Sequence, residues 1–105
     1  MMVSSGATIY HSPEFYRFVR SHERLLKSES VRTPLDPGMV YNFEHNFISL
    51  LIEMKLPLEN LAFLMVCNDM VDPTELTRDM KEMVLPPESR MDSLKNLFRQ
   101  REGIV

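Results

Sequence analysis

The chain has 105 residues, a length that holds one domain with its own hydrophobic core. Apolar residues make up 44% and charged residues 26%, the balance of an ordinary globular chain rather than a disordered or fibrous one. A formal charge of −3 argues against a protein built mainly to neutralise a phosphate backbone, and the single cysteine, Cys67, excludes an internal disulfide.

The longest apolar run, Leu61 to Cys67, is far short of the ~20 residues that span a bilayer. The opening stretch Met-Met-Val-Ser-Ser-Gly-Ala-Thr lacks the basic start and apolar centre of a secretory signal. With the lone cysteine, this points to the cytoplasm or nucleus.

Residues 1–11 are expected to form a flexible tail, and residues 12–105 a single helical domain. Ser12-Pro13-Glu14 starts the first helix: serine caps free amides, proline suits the first position, and glutamate favours the positive end. Phe15, Phe18, Val19, His22, Leu25 and Leu26 then recur at helical spacing. The helix fades near Ser28, and Ser30 to Leu35 is expected as a loop.

Asp36-Pro37 opens a second helix reaching Met54, with Val40, Phe43, Phe47, Leu50 and Leu51 on its apolar face. Pro57 opens a third through Leu58, Leu61, Ala62, Leu64, Met65 and Cys67. A strand over Phe63–Val66 is rejected because no second strand-like run is evident to pair with it. Asp72-Pro73-Thr74-Glu75 resembles a capping box and predicts a fourth helix bearing Leu76, Met80, Met83 and Val84. Pro86-Pro87 stops it and begins a fifth, with Met91, Leu94, Leu97 and Phe98 inward and Gly103 at its end.

Five of the seven prolines thus stand at predicted helix starts. Proline inside a helix costs ~3 kcal/mol, whereas at the first turn it costs little. The expected fold class is all-α: a compact bundle of about five short, proline-started helices.

No motif carries evident catalysis. The three glycines are scattered, so there is no phosphate-cradling loop, and neither a nucleophile elbow nor paired cysteines occur. The expectation is a protein that is not an enzyme and has no cofactor or metal. A metal site would need His22, His45 and a carboxylate such as Glu44 to converge.

Three charge and side-chain patterns remain. Met80 and Met83, on the narrow apolar face of the predicted fourth helix, and Met70 in the approach to it are expected to form a partly exposed groove suited to a partner helix. Glu75, Asp79 and Glu82 share one face of that helix and would form its acidic rim. Arg17, Arg20, Arg24 and Lys27 form a basic stripe on the first helix, and Lys95, Arg99 and Arg101 a second basic group on the last.

The function that follows is a protein-interaction module, adaptor or regulatory. It would grip a partner helix or peptide in a methionine-rich groove with a charged rim, or pair with a second copy. The alternative is a nucleic-acid-associated domain using the two basic groups.

Because the second predicted helix is apolar over so much of its surface, Phe47 belongs in the core. Phe47→Ala should lower the unfolding free energy by roughly 3–5 kcal/mol in urea titrations. A loss below about 1 kcal/mol would place Phe47 outside the core.

Overall fold

A computed structural model describes residues 9–103. The chain is mostly helical, with one two-stranded sheet. In order, it comprises a 3-10 turn at Ile9–His11, α1 (Pro13–Arg20), α2 (Glu23–Glu29), β1 (Val31–Pro34), α3 (Pro37–Asn42) and α4 (Phe47–Glu53). Then follow a 3-10 turn at Leu58–Asn60, α5 (Leu61–Cys67), a 3-10 turn at Pro73–Glu75, β2 (Glu82–Leu85) and α6 (Glu88–Arg101).

The core is two clusters with α5 between them. Phe15, Phe18, Val19, Leu26, Met91, Leu94 and Phe98 from α1, α2 and α6 surround one side of α5, meeting Ala62, Phe63, Val66 and Cys67. Val40, Phe47, Leu50, Leu51, Leu76 and Met83 gather on the other side around Leu64 and Met65. Every residue from Ala62 to Cys67 is buried, as expected of a helix with no solvent face. In the first cluster the ring of Phe15 lies edge-on to Phe63 at 5.5 Å and to Phe98 at 5.0 Å, a favourable aromatic geometry.

Proline placement is as the sequence suggests. Pro13 and Pro37 lie in the first turns of α1 and α3, Pro73 begins its 3-10 turn, and Pro57 and Pro87 cap the elements that follow them. Ser12 accepts from the Phe15 amide and Asp36 from the Met39 amide, so both side-chain caps form.

The all-α expectation is corrected by the sheet. β1 and β2 pair antiparallel, with Val31 opposite Leu85 and Thr33 opposite Met83. The segment Ser30 to Leu35, expected as a loop, therefore contains a strand. Its partner is the segment expected to be the fourth helix. There the Asp72 carboxylate does accept from the Thr74 amide, but the helix stops after one turn. Both Glu75 carboxylate oxygens turn back to the Val71 amide, and Arg78 is drawn aside by Glu44, which accepts from its backbone amide and its guanidinium. Tertiary partners here override the local start signal.

Two long predicted helices are each broken in two. At Ser21-His22 the serine hydroxyl and the histidine Nδ1 both engage the Phe18 carbonyl, which competes with the helical ladder. Between α3 and α4, His45 adopts φ 66° and Asn46 caps α4 by accepting from the Ser49 amide. Of the tail expected over residues 1–11, residues 1–8 lie outside the described part. Ile9–His11 form a turn, and Tyr10 is buried in the first cluster.

Asn68 fastens the sheet to α5. Its Nδ2 donates to Leu64 O at 2.7 Å and to Val84 O at 3.1 Å, while its Oδ1 accepts from the Val84 amide at 2.9 Å. One side-chain amide thus does for β2 what a third strand would do. The next residue, Asp69, has φ 61° and completes the helix end: its amide donates to Val66 O, and that of Met70 donates to Met65 O. This is a Schellman closure with an aspartate where glycine is usual.

Asn68→Ala should cost about 1–3 kcal/mol in urea titration, since it strands the Val84 amide and carbonyl. Asn68→Asp should cost at least as much at neutral pH, because a carboxylate cannot donate to the two carbonyls. Equal stability of Asn68→Asp and the unsubstituted protein would contradict this role.

Candidate functional site

The sequence-derived methionine groove does not form as expected. Met83 is fully buried and Met70 is 5% exposed; both belong to the second cluster, and Met80 is half-buried against it. Because the helix predicted from Asp72-Pro73 does not form, Glu75, Asp79 and Glu82 do not share a face. Glu75 closes its own turn, Asp79 is exposed in the connection, and Glu82 is exposed in β2 opposite Pro34. The structure does bring Met70, Met80, Glu75 and Asp79 around one shallow depression, with Asn68, Asp69 and Thr77. That lining is mixed and mostly polar, unlike the apolar trough that a helix face needs.

The basic groups are likewise divided. Lys95 is an interior side chain, 6% exposed, whose ammonium donates to Glu59 at 2.8 Å and to Asn60 at 2.9 Å. It is a clamp between α6 and the Leu58–Asn60 turn, not part of a surface patch. Arg20 pairs with Glu23 and donates to the Tyr16 hydroxyl, and Lys27 pairs with both Glu23 and Asp69. Arg99 is half-buried, and the Arg101 guanidinium lies over the Phe18 ring at 5.2 Å. Arg17 and Arg24 are exposed and have no ion-pair partner among the described residues.

The His22 ring lies tilted against the Phe18 ring, its centroid 4.8 Å away, and its Nδ1 bonds the Phe18 carbonyl, whereas His45 bonds the carbonyl of Thr74. Among the described residues, no group of three or more histidine, cysteine or acidic side chains is placed to hold a metal ion. Cys67 is buried, and that burial pushes its thiol above the ordinary range, the reverse of an activated nucleophile.

A different feature has the character of a binding site: a cleft of about 420 Å³ where the Ile9–His11 turn and α1 approach α5 and the turn after it. Tyr10, Ala62 and Met65, all nearly buried, form its floor. Leu61, Tyr16 and Pro73 make the half-buried walls; His11, Pro13, Arg17 and Val71 make the exposed rim. Its position follows from the two-cluster core. Tyr10 and Ala62 belong to the first cluster and Met65 to the second, so the cleft opens at the seam on one side of α5.

Tyr16 ties the two sides of the seam together. Its ring packs against both clusters, and its hydroxyl donates to Met70 O at 2.9 Å, fixing the turn that carries Val71. The Glu75 carboxylate grips the same turn through the Val71 amide at 3.1 Å. Val71 is 66% exposed, so its side chain stands out at the rim instead of joining the core. The cleft is not legible in the sequence, because its parts come from three separated stretches. Its local signal is an apolar valine between Met70 and Asp72, beside a turn.

Among the described residues, no helix is long and apolar enough to cross a membrane. No protein-family model, curated protein or solved structure matches the chain.

Several surface ion pairs brace this arrangement. Arg90 grips Glu29 through two bonds of 2.7 and 3.0 Å and joins α6 to α2. That guanidinium holds the Glu29 carboxyl below its usual range; Arg78 does the same for Glu44, and the Thr74 hydroxyl for Asp72. A carboxyl whose folded pKa is depressed stabilises fully above the ordinary carboxylate range, about pH 4–5. That stabilisation is lost as pH falls through the depressed folded values. The acid side of the urea-measured stability profile should therefore fall less steeply in an Arg78→Gln/Arg90→Gln double variant than in the unsubstituted protein. Profiles of the same slope below about pH 5 would contradict these pairings.

Proposed function

We propose that the protein is a protein-interaction module, and that the cleft between α1 and the turn after α5 receives a short apolar segment of a partner protein. The observation that carries this reading is the combination of an apolar floor, walls tied by the Tyr16 hydroxyl and the Glu75 carboxylate, and an exposed valine at the rim. Clefts of this size take a few side chains or a small ligand, and their usual range begins near ~300 Å³. A stable pairing of two folded proteins buries about 800 Å² on each side, far more than this opening offers. The occupant that fits is therefore a short helix or peptide inserting one or two large apolar side chains, not a second folded copy. Recognition by anchoring residues in a preformed apolar trough needs no rearrangement of the host.

The test is a selection from a library of random twelve-residue peptides displayed with their C-termini blocked. Enriched sequences should carry a large apolar side chain, and synthetic versions should bind with micromolar affinity. Val71→Ser removes apolar surface from the rim without touching the core, so it should weaken those peptides about five- to tenfold. The circular dichroism spectrum should not change. Enriched peptides that bind Val71→Ser as well as the unsubstituted protein, or a library that yields none, would refute the cleft as the site.

A further inference from the structure

We infer that the segment received by the cleft is acidic: beside its apolar anchor it carries an aspartate or glutamate whose carboxylate meets Arg17. This rests on the reading of the cleft as a peptide site and adds the chemistry of the peptide.

The inference comes from the distribution of charge around the opening. Arg17 is the one lining residue with a permanent charge, and it is exposed and lacks an ion-pair partner among the described residues. His11 is exposed on the same rim. Arg20, one turn along α1, already has its acceptors in the Tyr16 hydroxyl and Glu23.

The two acidic groups of the turn beside the rim, Asp72 and Glu75, are engaged within that turn. The Asp72 carboxylate accepts from both the amide and the hydroxyl of Thr74, at 2.8 and 2.7 Å. The Glu75 carboxylate is spent on the Val71 amide. Glu14, exposed in the first turn of α1, makes no ion pair with Arg17. The lining group with a permanent charge and no ion-pair partner among the described residues is thus a guanidinium, whose planar fork suits a carboxylate. An apolar side chain seated on Tyr10, Ala62 and Met65 would bring its neighbours in sequence to the rim where Arg17 stands.

The experiment uses the peptides enriched by the library selection described above, titrated in low and moderate salt. They should show an acidic residue within a few positions of the apolar anchor. Arg17→Glu should weaken them about tenfold at low salt, and the loss should shrink as salt is added. Replacing the acidic residue of the peptide by lysine should restore binding to Arg17→Glu and not to the unsubstituted protein. Peptides that lose affinity on Val71→Ser but bind Arg17→Glu unchanged would overturn the acidic partner while leaving the cleft as the site. Peptides unaffected by either change would overturn both.

Discussion

The fold depends on burying α5 on all sides. A seven-residue helix cannot be stable alone, because so short a segment does not recover the cost of helix nucleation. It forms because Phe63 and Val66 complete one cluster while Leu64 and Met65 complete the other. Each cluster in turn has α5 as a wall, so neither closes without it. The helix end is fixed with the same economy: Asp69 closes the last turn in a left-handed conformation, and Asn68 uses its side chain to tether β2. The cleft is a by-product of this arrangement, since two clusters meeting across one short helix leave a seam.

Much of the helical content was legible in the chain. The apolar periodicity of Phe15 to Leu26, the run Leu61 to Cys67, and the proline starts at Pro13, Pro37 and Pro87 lead to the right elements. What failed was extent. The breaks at Ser21-His22 and at His45 come from side chains bonding to carbonyls and from backbone positions that carry no glycine signal. Lys55 and Asp69, like His45, take positive φ without being glycine, so a search for glycine overlooks them.

The sheet was illegible for a different reason. Each strand has four residues, too few to display alternation, and about fifty residues separate the partners. Glu82–Leu85 followed a well-formed helix start, and local rules favoured continuing it. The choice was made by Asn68, Glu44 and β1, none of which is near in sequence. The same displacement moved Met83 from an expected groove into the core and separated Glu82 from Glu75. Methionines that suggested a docking surface instead fill an irregular interior, a use that suits their flexibility. Arg17 was legible as an exposed cation, but its role at a cleft required knowing that Val71 and Met65 come to stand beside it.

If α5 binds two half-cores into one unit, damage on one side of it must be felt equally on the other. Native-state hydrogen exchange of Phe63→Leu tests this directly, because Phe63 faces the first cluster and the change costs only about 1–2 kcal/mol. The account predicts the same loss of protection at the slowest amides of both clusters, at Val19 and Leu94 as at Leu50 and Leu51. A loss confined to Val19 and Leu94, with Leu50 and Leu51 unchanged, would show two independent halves and contradict it.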